Sequence, residues 1–342
     1  MTKRLNMPIW YIPGEVYYFG KVFGEIAAEL IHQSLDEDII ARKTTNWYKY
    51  ASETYDFLKI HEMRLVKDLE GLAEGAKIEI FEAIYIQYRR EILKEYLKKK
   101  TLDCSLFSFH GGKTFLAQTI DLEYRYEKFG GVLKVDYKNH SVYQYTFAGL
   151  LGYTGLNSNG YAIGINMVHS NHWRIGVSPY LIIKKMLDTE TYVEALKVIQ
   201  QTRASSSRII TLCTRAETFN FEIIPFEIVL NKKKDYFVQT NHFTHQKFKD
   251  MEMITRFGKF NSVSRQNRLI ELISTLPPKD INRVHEIISD KEGGLNSICC
   301  EGTGNADNVK TVAAVCYDIE ALSFYALKGL PNENFFEEFK FG

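Results

Sequence analysis

The periodicity of apolar residues changes near residues 100–104, and this change restricts the possible folds more than any other feature. From residue 15 to residue 100, apolar residues recur every three or four positions, which is typical of amphipathic helices. After Thr101, short alternating or β-branched runs are separated by turn residues, which is typical of strands. Helical stretches interrupt these strands before strands return at the end. This order of elements predicts an α+β fold with a mostly antiparallel sheet.

Apolar positions predict three helices in the first part of the chain, within residues 23–31, 58–72 and 81–92. Gly71 and Gly75 lie between the last two of these helices, where glycines suit a turn. We therefore expect a helical region that ends near residue 100.

Capping signals predict two helices after this region. Pro179 follows Ser178, as in a helix with a serine cap and a proline at its first position. Thr191 and Glu194 have the spacing of a capping box. A further helix is predicted over residues 265–276. Strands are predicted over residues 105–109, 114–120, 132–137, 142–147, 161–166, 208–214, 218–224, 236–239, 312–317 and 322–327.

The overall composition limits the class of protein. A length of 342 residues suits one large domain or two ordinary ones, and 45% hydrophobic residues suffice for a large core. The 43 basic and 42 acidic residues nearly balance, which gives no support to a nucleic-acid-binding surface. The first residues lack the apolar stretch of a signal peptide, and no window approaches the roughly 18 apolar residues of a membrane span. We expect a soluble cytoplasmic protein without nucleic-acid or membrane partners.

The cysteines do not form a disulfide framework or a zinc motif. Five is an odd number, their spacing is irregular, and no CxxC pair is present. Four of them are expected to be buried thiols in strands. The cysteines are Cys104, Cys213, Cys299, Cys300 and Cys316. Cys104 differs because it stands at the point where the helical pattern gives way to strands.

A predicted hairpin places Cys104 near a carboxylate. Gly111 and Gly112 suit a two-residue type I′ turn, because both central positions of that turn need positive φ. This turn would pair Cys104 with Thr119, and Asp121 would then lie on the same face as its diagonal neighbour, about 7–8 Å away. The same residues also fit an ordinary buried cysteine beside an aspartate at the end of a strand.

A cysteine at the start of a strand, a glycine-containing hairpin and an aspartate seventeen residues later resemble a known pattern. It is that of the isopenicillin N acyltransferase (acyl-CoA:6-aminopenicillanic acid acyltransferase) family of N-terminal-nucleophile hydrolases, which is related to choloylglycine hydrolases. Further segments resemble this family in the same order along nearly the whole chain. They are residues 69–76, 155–162, 240–243, 264–265 and 297–299.

The resemblance implies a four-layer αββα sandwich and a precursor that cleaves itself between Asp103 and Cys104. Residues 1–103 would be a pro-segment that stays associated as the α subunit, and residues 104–342 would carry the catalytic machinery. Cys104 would be the nucleophile, with its new α-amine as the base. Such an amine has a pKa near 8, which suits a base at neutral pH.

The resemblance also implies roles for four other residues. Asp121 would bind and orient the amine of Cys104, and Asn241 would donate to the developing oxyanion. Asn166 matches a second polar contributor in related hydrolases and would contact the substrate. Arg265 is a substrate-binding candidate for an arginine that the family uses late in its chain. Each has a simpler interpretation: a turn cap for Asn241, a strand end for Asn166 and, as the favoured reading, a surface helix position for Arg265.

The sequence departs from the family pattern at two places. Asp103 stands where many relatives have glycine, which puts efficient self-cleavage in question. Gln118-Thr119-Ile120 stands where choloylglycine hydrolases have an Arg-Asn pair, so cleavage of bile salts is not expected. Tyr153, Trp173 and Phe243 suggest an apolar part of the substrate.

The expected reaction is hydrolysis or acyl transfer through a thioester on Cys104, with a small N-acyl amide or acyl thioester as substrate. No metal or bound cofactor is expected. Two alternatives remain open. One is a conventional Cys/His peptidase, and the other is a non-catalytic binding protein of the same fold. Two histidine pairs, His169/His172 and His242/His245, have no acidic partner at a typical metal-site spacing.

Overall fold

The structure is a computed structural model that describes residues 7–93, 104–303 and 309–341. Its first part is mainly helical, as the periodicity predicts. The elements are β1 (Ile9–Pro13), α1 (Tyr18–Ile26), α2 (Ala28–Glu37), α3 (Ile39–Lys43), α4 (Trp47–His61), α5 (Met63–Ala76) and α6 (Ile80–Ile92). None of the helices in these three ranges is long and apolar enough to cross a membrane.

The second part of the chain contains most of the strands, and helices interrupt them twice. Its first elements are β2 (Leu106–His110), β3 (Thr114–Glu123), β4 (Gly130–Asp136), β5 (Ser141–Phe147), β6 (Thr154–Asn157), β7 (Tyr161–Asn166), α7 (Pro179–Leu187) and α8 (Tyr192–Gln201). Those that follow are β8 (Arg208–Thr214), β9 (Thr218–Ile224), β10 (Glu227–Lys233), β11 (Tyr236–Gln239), α9 (Gln246–Lys249), α10 (Arg256–Thr275), α11 (Ile281–Ile288), β12 (Val309–Asp318), β13 (Ser323–Lys328) and β14 (Glu337–Lys340).

The strands form two sheets. One has eight strands in the order β1-β4-β5-β6-β7-β8-β9-β10, and the other has six in the order β11-β2-β3-β12-β13-β14. Strand pairs are antiparallel except β1 with β4, which are parallel. The prediction of a mostly antiparallel α+β fold is therefore confirmed.

The two sheets pack face to face between two layers of helices. Leu116 and Ile120 of β3 share one apolar core with Ile163 of β7. Helices α1, α5, α6 and α7 contribute to the same core from the outer side of the eight-stranded sheet. On the outer side of the six-stranded sheet, Phe115 packs with Leu269 of α10 and with α11. This is the predicted four-layer αββα sandwich.

A buried glutamine joins the sheets close to the end of β7. The side chain of Gln118 donates to the carbonyl of Ile165 at 2.5 Å and accepts from its amide nitrogen at 3.1 Å. Gly164 permits this close approach, since a Cβ there would lie 2.3 Å from Leu106 Cδ1. The sheets are therefore fixed to one another where Cys104, Asn166 and β11 come together.

The hairpin between β2 and β3 differs from the predicted one. His110 pairs with Thr114, so the three residues 111–113 form the loop. Gly112 has a φ of 84°, whereas Gly111 is not in the left-handed region. The main-chain nitrogen of Thr119 donates to the Ser105 carbonyl. The predicted pairing of Cys104 with Thr119 is therefore wrong by one residue.

Gly71 and Gly75 do not form a turn, contrary to the prediction. Both lie inside α5, which packs against α1, and the predicted second helix is in fact the pair α4 and α5. A Cβ on Gly71 would lie 2.1 Å from the carbonyl oxygen of Tyr17, and one on Gly75 would lie 2.0 Å from that of Lys21. The glycines allow the backbones of α1 and α5 to approach closely.

Candidate active site

Cys104, the candidate nucleophile, lies just before β2 and is 2% exposed. Its Sγ is 3.9 Å from the hydroxyl of Tyr153, whose ring stacks on that of Tyr180 with centroids 5.8 Å apart. A cavity of about 50 Å³ adjoins this pair. Its apolar lining includes Ile86, Leu122, Tyr126, Phe129, Phe147 and Leu150. Tyr153 is thus near the thiol, as expected, whereas Phe243 packs in a separate cluster with Phe248.

Two side chains hold the main-chain carbonyl of Cys104. Asn166 Nδ2 donates to this oxygen at 3.0 Å, and Arg265 Nη1 donates to it at 3.0 Å. Arg265 Nη2 also donates to Asn241 Oδ1 at 2.7 Å. The structure therefore brings Cys104, Asn166, Asn241 and Arg265 into one hydrogen-bonded network.

The orientation of the Asn241 amide is fixed by its partners. Its oxygen accepts from Arg265, while its nitrogen donates to the Met167 carbonyl at 3.0 Å. Its main-chain nitrogen donates to Ser262 Oγ at 2.7 Å. An amide nitrogen carries two hydrogens, and the described residues supply one acceptor for that of Asn241, so its other N–H is available to a further acceptor. The geometry suits a donor that is held in place before the reaction.

Arg265 is fully buried, so the favoured expectation of a surface position on its helix is wrong. Besides Cys104 and Asn241, its guanidinium donates to Asn261 Oδ1 at 3.0 Å and to Ser105 Oγ at 2.9 Å. A buried cation is tolerated only with such partners. These contacts are to protein groups, so the structure gives Arg265 the position of a support beneath the site.

Asp121 lies in β3, fully buried. Its Oδ1 accepts a hydrogen bond from Thr311 Oγ1 at 2.7 Å, next to a bulge in β12 between Thr311 and Ala313. Burial, together with the negative charge of Asp121, raises the pKa of the Cys300 thiol to about 11.

The strand register places the Asp121 side chain and the Cys104 thiol on opposite faces of the sheet, so the prediction that they share a face is wrong. Leu116 and Ile120 of β3 point into the core between the sheets, whereas Phe115 points towards α10. Successive side chains of a strand point to opposite faces, so Asp121, like Phe115, points towards the helices that cover the six-stranded sheet. The Cys104 thiol lies with Tyr153 on the other side. Asp121 is one residue from the position opposite Cys104, so its carboxylate is a neighbour of the Cys104 main chain.

Two residues of this network were not expected from the sequence. Asn261 and Ser262 lie on α10 four and three residues before Arg265, on the same inward side of the helix. The predicted helix began only at residue 265, whereas α10 begins at Arg256. Asp103, the other predicted self-cleavage residue, lies outside the described residues.

The histidine nearest to Asn241 in sequence is bound by protein groups. His242 Nδ1 is 2.7 Å from Ser262 Oγ and 3.3 Å from Thr240 Oγ1. Burial, reinforced by the positive charges of Lys259 and Arg265, lowers the pKa of His242 to about 4. It is therefore neutral at pH 7. Within residues 7–93, 104–303 and 309–341, no group of three or more His, Cys, Asp or Glu side chains is placed to hold a metal ion.

Comparison with protein families gives a match over residues 108–332, which is more than half of the chain. The matching model describes acyl-coenzyme A:6-aminopenicillanic acid acyl-transferases. The chain belongs to this family. The match begins four residues after Cys104 and includes Asp121, Asn166, Asn241 and Arg265. The chain is thus an enzyme of the acyl-amide hydrolase or acyltransferase class, and the predicted family is confirmed.

The chain is also similar to three other proteins, one by sequence and two by structure. The β-alanyl-dopamine/carcinine hydrolase of Drosophila melanogaster is 21% identical over 378 aligned positions, spanning 97% of this chain and 95% of that protein. Penicillin V acylase from Agrobacterium tumefaciens has a TM-score of 0.47 and 14% identity, covering 66% of this chain and 83% of the acylase. A mutant conjugated bile acid hydrolase from Clostridium perfringens has a TM-score of 0.48 and 11% identity, covering 70% of this chain and 97% of the hydrolase.

Proposed function

We propose that this chain is a self-processing amidohydrolase or acyltransferase whose nucleophile is Cys104 after it becomes the first residue of the mature enzyme. The observation that carries the proposal is the hydrogen-bonded network just before β2, in which Asn166 and Arg265 bind the Cys104 carbonyl and Arg265 also binds Asn241. Family membership supplies the reaction class, and this network supplies candidates for the groups that perform it.

The proposed reaction forms and breaks a thioester. The α-amine of Cys104 takes the thiol proton, and the sulfur attacks the carbonyl carbon of an N-acyl amide. The free N–H of Asn241 donates to the oxyanion. The C–N bond then breaks, and the amine leaves with the proton that the α-amine received. Water or another amine finally attacks the thioester, giving hydrolysis or acyl transfer. Asp121 holds the α-amine in place from the neighbouring strand.

The proposed maturation cuts the bond between Asp103 and Cys104, leaving residues 1–103 as the α subunit and 104–342 as the β subunit. Buried hydrogen bonds between α6 and the second part of the chain support continued association. Gln87 donates to the Gly149 carbonyl at 2.8 Å and accepts from Leu151 at 3.0 Å. Tyr88 donates to the Gly176 carbonyl at 2.8 Å. Separation of the two subunits would leave these polar groups unpaired.

The substrate class to test first is an amide of an aromatic amine. The Drosophila relative bears the name of β-alanyl-dopamine/carcinine hydrolase, and five aromatic rings, one of them Tyr153 next to the Cys104 thiol, line the larger cavity. We also propose that the enzyme acts in the cytoplasm, where its five free cysteines would stay reduced.

Self-cleavage is tested with the purified chain and its Cys104→Ala variant. The wild type should give fragments of roughly 12 and 28 kDa, in proportion to the whole mass of 39.7 kDa. The variant should remain one band and should lack amidase activity. N-terminal sequencing of the large fragment should begin at Cys104. Cys213→Ala is the control, because burial raises the pKa of the Cys213 thiol to about 12 and makes it unreactive. A fully active chain that is never cut would refute the proposal.

The alternatives give different outcomes in the same assays. A conventional Cys/His peptidase would lose activity on substitution of one particular histidine, so His110, His169, His172, His242 and His245 are each changed to alanine. A non-catalytic binding protein would show no turnover and would keep its ligand affinity after its thiols are blocked.

A further inference from the structure

A second, smaller cavity lies next to the candidate active site, where α6 meets the ends of β7 and β8. Its volume is about 20 Å³, which is room for one water molecule. Charged and polar side chains form much of its wall, whereas the cavity beside Tyr153 is lined mainly by apolar side chains together with Ser34, Arg89 and Arg90. The charged and polar side chains of the smaller cavity include Arg90, Glu91, His169 and Arg208.

Arg208 is 3% exposed, and one edge of its guanidinium has no hydrogen-bond partner in the described parts of the chain. Its Nη1 contacts Met167 Sδ, whereas Nε and Nη2 make no hydrogen bond there. Nη2 lies 3.7 Å from Glu91 Oε1, which is an ion pair but too long for a hydrogen bond. Nε and Nη2 together form the edge with which arginine binds a carboxylate through two parallel bonds.

The charges around this cavity favour an anion. Arg90 and Arg208 are positive and Glu91 is the one carboxylate among the lining residues. The pKa of His169 is lowered to about 3 by burial and then by the charges of Arg90 and Arg208, so this histidine is neutral. Ser206 already donates to Glu91 Oε1 at 2.6 Å. A cationic ligand would meet two guanidinium groups, whereas a carboxylate would offset their repulsion.

Two residues, Met167 and Tyr180, each contact both Arg208 and a residue of the candidate active site. Met167 contacts Arg208 with its sulfur, and its carbonyl accepts from Asn241 at 3.0 Å. The Arg208 guanidinium also lies over the ring of Tyr180, 5.5 Å from its centroid, and Tyr180 stacks on Tyr153 beside the thiol of Cys104. Arg90 lines both this cavity and the one beside Tyr153, so a ligand group held by Arg208 can belong to the same molecule that reacts at Cys104.

We propose that Arg208 determines substrate specificity by binding a carboxylate, so that the preferred substrates are N-acyl amides that carry a carboxylate group. This inference rests on the proposed role of Cys104 as the nucleophile. The carboxylate would displace water from the polar cavity and complete the hydrogen bonding of Nε and Nη2, while the acyl carbon lies at the thiol.

The test uses N-bromoacetyl derivatives of ω-amino acids, from glycine to 6-aminohexanoate, and the corresponding neutral carboxamides. Each alkylates a thiol: a C–S bond forms, bromide leaves and the thiol proton goes to solvent. Alkylation of Cys104 in the mature enzyme is followed by mass spectrometry to obtain the apparent affinity KI and the rate kinact. At the chain length that spans the two sites, the acid should bind at least about tenfold more tightly than its carboxamide, as expected for charged hydrogen bonds.

The variants separate this inference from the proposed function. Arg208→Gln should remove the preference for the acid, so that acid and carboxamide of each length give equal KI. Arg208→Lys should retain part of the preference, because lysine keeps the charge without the two-bond geometry. Arg203→Gln, an arginine outside the cavity, should behave as the wild type.

Two results would overturn the inference. If wild-type Cys104 reacts rapidly and selectively but shows equal KI for acids and carboxamides at every length, the cavity holds only water and the inference fails while the nucleophile stands. If Cys104 reacts no faster than the other four thiols, the proposed function fails and the inference fails with it.

Discussion

Replacement of Arg265 by lysine should disable the site while leaving the chain folded. The guanidinium donates in three directions: Nε to Asn261, Nη1 to Cys104 and Ser105, and Nη2 to Asn241. A lysine ammonium keeps the charge but donates from a single atom. It can remain near the Cys104 carbonyl or near the Asn241 oxygen, but it cannot hold both in their present positions.

The size of the effect follows from the bonds that lysine cannot replace. Hydrogen bonds to a charged group contribute about 1.5–3 kcal/mol each, and at least two of those made by Arg265 should be lost. The ammonium will regain part of this, so we expect the free energy of unfolding to fall by about 2–4 kcal/mol. With the Asn241 amide no longer held, kcat should fall about 100-fold, which corresponds to a barrier about 3 kcal/mol higher. The Michaelis constant should change little, because Arg265 lines neither cavity described above.

Urea unfolding and steady-state kinetics on the mature enzyme measure both quantities. Arg268→Lys is the matched control, since Arg268 is on the same helix and pairs with Asp290 at 2.7 Å at the surface. That variant should lose less than about 1 kcal/mol and keep its kcat. An Arg265→Lys enzyme with the kinetics of Arg268→Lys would show that the network does not position the reacting groups.

Four further predictions concern single positions. Asp121→Asn should fold but lose activity roughly 100-fold in kcat assays, since it weakens the hold on the α-amine; an unchanged rate would remove Asp121 from the mechanism. Asn241→Ala should lower kcat more than it raises the Michaelis constant, whereas the opposite pattern would indicate a binding role. Gly71→Ala should destabilise the chain by about 2–3 kcal/mol in urea unfolding, because its Cβ would lie 2.1 Å from the Tyr17 carbonyl oxygen. His242 has a pKa of about 4 when folded against an ordinary 6.5, so stability should fall as the pH drops from about 6.5 towards 4. The His242→Gln variant should lose about 3 kcal/mol less over that window, and equal slopes would contradict the argument.

The fold could be predicted where short-range patterns decide it. The strands predicted over residues 208–214 and 218–224 coincide with β8 and β9, and the caps at Ser178 and Thr191 start α7 and α8. Alternation and capping act over a few residues, so a single sequence displays them directly. The four-layer arrangement came from the family resemblance, because the packing of two sheets depends on contacts between distant segments.

The register of the hairpin could not be derived in the same way. Two adjacent glycines permit a two-residue turn, but they equally permit the three-residue loop that the structure has, with Lys113 as its last member. A slip of one residue transfers every side chain to the other face. The predicted relation of Asp121 to the Cys104 thiol therefore failed although both residues are close to one another along the sheet.

Gly71 and Gly75 illustrate a different difficulty. A glycine indicates that a side chain is not tolerated, but the reason is either an unusual backbone angle or the close approach of another backbone. Their spacing of four residues indicates the second reason, a close approach of backbones, because Gly20 and Gly24 on α1 have the same spacing and face them. Two such pairs indicate a close contact between helices more than they indicate a turn.

Arg265 also had a signal that single-residue expectations overlooked. It precedes Leu269 by four residues and Ile273 by eight, so all three lie on one side of α10, and the last two are buried in the core. A surface arginine would not share that side.

The burial of a cation at position 265 has a physical cost, because replacing buried charges with apolar groups is often neutral or even stabilising. That cost is understandable if the site uses the charge. Arg265 holds the Asn241 amide by its oxygen, so the N–H that would meet a developing oxyanion is already oriented and the protein need not reorganise during the reaction. The cation also places a fixed positive potential beside the point where negative charge would form.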